Sequence, residues 1–194
     1  MSDENIKIAL LGDSCVGKTS LIRRFVEDRF EDNFISTIGV DYFEKKVMIN
    51  NKQINLVIQD TSGEERFKSL SKTYYKNADG IIFVFDVTNK ESFSQGIKYW
   101  LTESDNEKGE NNYKKILVGN KSDLKDMRKV NKETAEKYSE NRNMKYFETS
   151  AKTGENVDLI FKELVELILK DPKPKIENNK LGSVEKSSNK KKCC

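Results

Sequence analysis

No stretch of this 194-residue chain stays apolar for long. Its longest apolar runs, such as Ile81–Phe85, fall far short of the roughly 20 residues that a membrane-spanning helix needs. The opening segment, MSDENIKIALLGD, is acidic and lacks the basic-then-apolar pattern of a secretory leader, so a cytosolic protein is expected. Cysteine is scarce: Cys15, Cys193 and Cys194 are the only three. Two adjacent cysteines at the end cannot staple a core, and the three show no zinc-ligand spacing, so a structural disulfide is not expected. The two prolines, Pro172 and Pro174, both fall just past the last helical pattern. Strong charge of one sign is missing from the body of the chain. The net charge is +3, but from Asp171 onward seven lysines and three acids contribute +4, leaving −1 for residues 1–170. The basic character belongs to the tail, which argues against a nucleic-acid-binding face on the folded part.

What is present describes a well-charged soluble domain, 36% hydrophobic and 35% charged, large enough to bury about 70% of its unfolded surface. Apolar strands are expected at Ile6–Leu11, Tyr42–Ile49, Ile54–Asp60, Ile81–Asp86, Lys115–Asn120 and, briefly, Lys145–Glu148. Asn50-Asn51-Lys52 reads as a hairpin turn between the second and third. Helical spacing appears at Leu21, Ile22, Phe25 and Val26, and again at Phe93, Ile97, Trp100 and Leu101. A polar helix is expected over about 132–141. The last helix is plainest: Val157, Ile160, Phe161, Leu164, Val165 and Ile168 share one face before the prolines end it. Beyond residue 170, lysine, asparagine, serine and glutamate dominate, a composition that cannot form a core. Alternating strands and helices imply an α/β fold: a six-stranded, mostly parallel sheet with one antiparallel edge strand and helices on both faces. Ligands of such sheets bind beyond the carboxyl ends of the strands.

Five motifs fall at those ends. GDSCVGKT at Gly12–Thr19 matches G-x-x-x-x-G-K-[ST] between a strand and a helix. The glycines let the backbone wrap phosphates, and the helix start aims N–H groups at them. Asp13, Ser14, Cys15, Val16, Gly17, Lys18, Thr19 and Ser20 form the expected phosphate cradle, with Lys18 as point charge and the Thr19 hydroxyl as magnesium ligand. Taken alone, this motif specifies only a nucleoside triphosphate, and kinases or ATPases share it. NKSD at Asn120–Asp123 narrows the choice. The Asp123 carboxylate can accept from N1–H and the 2-amino group of guanine, whereas adenine would leave that buried acid unpaired; such polar matching discriminates by factors of about 10⁴ or more. Asn120 would tie this loop to the phosphate loop, and the Lys121 stem can lie along the base. In ETSAK, Glu148–Lys152, the Ala151 N–H is expected to donate to guanine O6, with Ser150 and Lys152 supporting the loop. The remaining motifs are Thr37 in STIGVD and DTSGEE at Asp60–Glu65; Thr37 alone could be an ordinary loop threonine.

Residues 6–170 resemble the Ras superfamily of small GTPases, and its Rab branch most closely. The likeness rests on IGVDYF (Ile38–Phe43), GEERFKSLSKTYYKNADG (Gly63–Gly80), VFDVTNKESF (Val84–Phe93) and GNKSDL (Gly119–Leu124). It implies a P-loop G domain over 1–170 and a flexible basic tail over 171–194. It also implies a switch in vesicle traffic that binds GTP or GDP with Mg2+ and hydrolyses GTP slowly. By resemblance, Phe30 packs on the base, Thr37 ligates magnesium while its N–H meets the γ-phosphate, Asp60 holds magnesium through water, and the Gly63 N–H contacts the γ-phosphate. Loss of that phosphate would relax both segments. Tyr42, Phe67, Tyr74 and Tyr75 match an effector-reading region, or are core aromatics. The implied partners are an exchange factor, a GTPase-activating protein, effectors and a GDP-dissociation inhibitor, with the domain itself expected to be a monomer.

Cys193 and Cys194 resemble the doubly prenylated end of Rabs, two lipid signals being what stable anchoring takes. That implies a lipid-anchored protein on the cytoplasmic face of endomembranes, with a cytosolic pool. On tail composition alone, a lysine-rich end with two reactive thiols is an equal reading. Some positions depart from the family. Glu64 stands where Rabs carry the water-positioning glutamine; an ionised glutamate only accepts hydrogen bonds and brings negative charge to a triphosphate. Either hydrolysis is weakened, leaving a binding module held in one nucleotide state, or the acid is a stronger acceptor for water. Gln59 replaces a tryptophan, Ser62 an alanine and Phe34 a tyrosine. A metabolic phosphotransferase would lack a substrate lid and leave NKSD and ETSAK without a role.

Overall fold

The computed structural model describes residues 4–32, 37, 40–62 and 75–171. Six strands form one sheet: β1 (Glu4–Leu11), β2 (Val40–Ile49), β3 (Lys52–Thr61), β4 (Gly80–Asp86), β5 (Lys114–Asn120) and β6 (Lys145–Glu148). Their spatial order is β2-β3-β1-β4-β5-β6, with β2 antiparallel to β3 and every other pairing parallel. The expected hairpin turn is there: Asn50 and Asn51 both take positive φ, 51° and 60°, as a two-residue turn matched to strand twist requires.

Four α-helices accompany the sheet among the described residues: α1 (Lys18–Glu27), α2 (Lys98–Lys108), α3 (Lys132–Glu140) and α4 (Val157–Lys170). A π-helical turn, Ser92–Ile97, leads into α2. None of the described helices is long and apolar enough to cross a membrane.

Strand alternation divides the core in two. On one face Ile6, Ile8 and Leu10 of β1 meet Leu21, Ile22 and Phe25 of α1 and the apolar stripe of α4. Phe25 and Phe161 stack there with centroids 3.9 Å apart. Each large side chain buried on that stripe contributes about 1.5–3 kcal/mol by leaving water. On the other face Ala9 and Leu11 pack with Phe83, Phe85, Phe93, Ile97 and Trp100. Lying between the two cores, β4 is buried at every residue, which explains its unbroken apolar reading. Tyr75 belongs to the second core, whereas Tyr42 is 55% exposed on the edge strand. Phe34, Phe67 and Tyr74 lie outside the described residues.

The strand register aligns the chemistry. Leu10 pairs with Asp60, Asp86 with Asn120, and Gly119 with Glu148. The parallel strands β1, β3, β4, β5 and β6 therefore deliver their motif loops to one edge of the sheet.

Candidate nucleotide-binding site

Between β1 and α1 the chain turns through residues that few sequences tolerate. A Cβ on Gly12 would come within 2.1 Å of the Val84 carbonyl oxygen, so only glycine allows β4 to pass so close. Cys15 sits at φ 63° without being glycine, a conformation that costs about 1–2 kcal/mol. α1 then opens with no side chain capping it. The N–H groups of its first turn have no intrahelical acceptor, and together with the helix dipole they make an anion site. The Lys18 ammonium donates to the carbonyls of Gly12 at 2.9 Å and Asp13 at 2.8 Å. Burial lowers its pKa to about 8, against the opposing pull of Asp60, Asp13 and Cys15.

Beside it stand three oxygens. Thr19 Oγ1 donates to Asp60 Oδ2 at 2.6 Å and lies 2.8 Å from Thr37 Oγ1, which is itself 3.2 Å from the same carboxylate oxygen. The other oxygen, Asp60 Oδ1, is buried with no hydrogen-bond partner among the described residues. Burial raises the Asp60 pKa, partly offset by the Thr19 hydrogen bond and the Lys18 charge. No group of three or more His, Cys, Asp or Glu among the described residues could hold a metal. The trio is a different donor set: two hydroxyls and one carboxylate with an unsatisfied oxygen. It suits a hard divalent cation that takes few protein ligands and completes its shell with phosphate and water, so the residues fit magnesium.

At the far end of the cleft the NKSD and ETSAK loops interlock. Asn120 Nδ2 donates to the Val16 carbonyl at 2.9 Å, joining the two loops as expected. Its Oδ1 accepts from Thr149 Oγ1 and the Ala151 N–H, both at 3.3 Å. The Ser150 hydroxyl donates to Asp123 Oδ1 at 2.6 Å. Asp123 is half-buried rather than buried, since it faces the open cleft. Lys121 adopts φ 67° and its ammonium bridges the Cys15 carbonyl, 2.9 Å, and Asp86 Oδ2, 2.6 Å. One cleft of about 340 Å³ connects these parts; Cys15, Gly17, Lys18, Thr19, Ser20, Phe30, Thr37, Asn120, Lys121, Asp123, Ala151 and Lys152 all line it. Gly63, Glu64, Cys193 and Cys194 lie outside the described residues.

Such a cleft has known counterparts. Residues 7–170 match the Ras family. The chain is 43% identical over 178 residues to the Ras-related protein Rab-13 of Bos taurus, covering 91% of this chain and 87% of that protein. It is 43% identical to Rab-1 of Theileria annulata, over 96% and 84% of the two chains, and 41% identical to Rab-10 of Diplobatis ommata, over 97% and 94%. The chain belongs to the Ras family. Within it, this is a Rab GTPase, a GTP-binding switch of vesicle traffic.

Several residues of this Rab escape a reading by motif. Asp86 anchors Lys121 and also accepts from the N–H and hydroxyl of Thr88, each at 2.7 Å; its place at the carboxyl end of a strand is the one available signal. Trp100, readable only as core, donates its indole N–H to Asp13 Oδ1 at 3.1 Å. Arg24 reaches from α1 to the carbonyls of Ala151 and Lys152, and no local pattern marks it. The two departures visible in the structure, Gln59 and Ser62, are both buried, and neither Gln59 Oε1 nor the Ser62 hydroxyl has a partner among the described residues.

Proposed function

We propose that this Rab binds GTP and GDP with magnesium in the cleft just described, with the phosphates on the Asp13–Ser20 loop and the guanine against Asp123. The observation that carries the reading is the arrangement of the cleft. An oxygen trio with a spare buried lone pair lies at one end and the half-buried Asp123 carboxylate, lining the cleft and held by Ser150, at the other, with Lys18 and the uncapped helix between them. Thr19, Thr37 and Asp60 would hold the cation, which would supply positive charge against that of the phosphates. With two of its three N–H groups on the Gly12 and Asp13 carbonyls, Lys18 brings its charge to the phosphates. Asp123 accepts from the guanine edge, the Ala151 N–H is shared between Asn120 Oδ1, a long contact of 3.3 Å, and O6, and Phe30 covers the ring. Thr37 and Gly63 sense the terminal phosphate, so their segments settle or relax with it.

Glu64 sets the rate. A carboxylate beside the γ-phosphate accepts from the attacking water but cannot donate to a phosphate oxygen, so hydrolysis is slow and depends on an activating protein. This substitution also favours a second reading, a module held mainly in its GTP form to recruit effectors. Exchange factor, effectors and a GDP-dissociation inhibitor act on the domain, and prenylation of Cys193 and Cys194 carries it to endomembranes. Chromatography of the bound nucleotide over time tests both readings, comparing the native protein with Glu64→Gln after loading with GTP. Conversion to GDP in each, several-fold faster in the glutamine variant, is expected. GTP that persists in the native protein alone selects the second reading. Equal rates within about twofold would remove Glu64 from control of the step, and a protein that retains neither nucleotide overturns the site.

A further inference from the structure

Arg24 lies in the last turn of α1, six residues after Lys18, on the helix that opens the phosphate site. Its side chain is only 19% exposed, and every contact faces the base end of the cleft or the end of its own helix. Nε donates to the Ala151 carbonyl at 2.9 Å, and Nη2 to the Lys152 carbonyl at 2.9 Å. Nη1 donates to the Asp28 carbonyl at 3.1 Å and to Asp28 Oδ1 at 3.0 Å. Asp28 is the left-handed residue that ends α1, with φ 52°, and its N–H bonds back to the Arg24 carbonyl. The guanidinium is thus oriented by one anchor before it reaches the two carbonyls.

A planar fork that serves two successive carbonyls fixes the Ala151–Lys152 peptide that joins them. In a trans peptide the N–H points opposite to the C=O. Holding the Ala151 carbonyl against α1 therefore turns the next N–H away from that helix. Ala151 is buried, at 3% exposure, and its own N–H donates to Asn120 Oδ1 at 3.3 Å. Ala151 is thus held on its carbonyl side by a side chain from the phosphate helix and on its N–H side by one from the NKSD loop, at two adjacent peptide groups.

We infer that Arg24 is a positioning residue for base selection, coupling the helix that carries the phosphates to the loop that reads guanine O6. The inference rests on the guanine-site reading above. Without the fork, the carbonyls of Ala151 and Lys152 both lose their side-chain restraint, and the loop that carries the O6 donor is less well preorganised. The loss should fall on guanine, whose O6 accepts from that donor. Adenine carries an amino group at the same position and gains nothing from a donor held there.

The test is competition of unlabelled GDP and ADP against a fluorescent GDP analogue on the full chain with magnesium, for the native protein, Arg24→Met and Arg24→Lys. Methionine keeps the stem's packing and removes every donor; lysine keeps one donor and the charge. The native protein is expected to prefer GDP strongly. In Arg24→Met that preference should narrow by about tenfold or more, through weaker GDP binding with ADP binding unchanged within about twofold, and Arg24→Lys should fall between. A purely structural role would lower thermal stability while leaving the GDP-to-ADP ratio intact, and that result overturns the inference. If methionine does not fold, the lysine variant carries the test, since an unchanged ratio there also overturns it. A native protein without preference for GDP overturns the guanine reading itself, and the role of Arg24 with it.

Discussion

Gly17 shows how little freedom a single position has here. Its φ of 94° belongs to the left-handed region, and a Cβ there would come within 2.3 Å of Asn120 Nδ2. That amide is the one that joins the NKSD loop to the Val16 carbonyl. Replacing Gly17 with alanine therefore combines backbone strain of about 1–2 kcal/mol with expulsion of Asn120 from its contact. Release of fluorescent GDP should be about tenfold faster or more in Gly17→Ala, followed by stopped flow after adding excess unlabelled GDP. A rate within about twofold of the native protein would show that the Asn120 link does not govern retention. The glycines and Asn120 are legible in the sequence because backbone geometry admits so few residues there. Arg24 and Asp86 are not: the loop carbonyls that Arg24 holds lie 127 and 128 residues away, and polar residues on a helix or at a strand end look alike whether or not they reach something.

Among the elements, β6 is the shortest strand, four residues at the edge of the sheet, with no fully buried residue. A strand so placed needs side-chain anchors, and Glu148 supplies them. Arg128 donates to both its oxygens, at 2.7 and 2.8 Å, Tyr146 donates to Oε1 at 2.9 Å, and Asn156 donates to its carbonyl at 2.8 Å. Burial alone would raise the carboxyl, but the Arg128 and Tyr146 hydrogen bonds outweigh it and hold its pKa below the ordinary 4.5. A carboxyl depressed in the folded state adds stability above its unfolded pKa and loses it as pH falls through the folded one. Glu148→Gln should therefore denature at lower urea than the native protein at neutral pH, and the two midpoints should converge as pH falls below 4.5. A gap that is constant across that range would assign the effect to packing. The last helix and the central strands are legible from apolar period alone. The strand ends are less so: Lys52, Gln53 and Asp41 pair through the backbone yet carry no apolar signal. The π-helical turn at Ser92–Ile97 has no signature that separates it from the α-helix it enters.

At the scale of the whole molecule, charge is segregated. Residues 1–170 carry −1 and the tail +4, with Lys190, Lys191 and Lys192 directly before the terminal cysteines. Attraction to an anionic leaflet is about 1 kcal/mol for each lysine near the surface, and it weakens as added salt shortens the screening length to about 3 Å at 1 M. The chain has no histidine, so the side chain that usually changes charge between about pH 5 and 7 is missing. For the full chain without lipid, partition onto phosphatidylserine-containing vesicles should be weak, salt-sensitive and nearly flat across that pH range. Replacing the three lysines with glutamine should reduce it on the order of a hundredfold at low salt and leave binding to neutral vesicles unchanged. Binding that survives the triple substitution, or that 1 M salt does not weaken, would locate the membrane-facing charge on the domain. The near-neutral domain makes that outcome unfavourable: with −1 spread over 170 residues, it has no net attraction to an anionic surface.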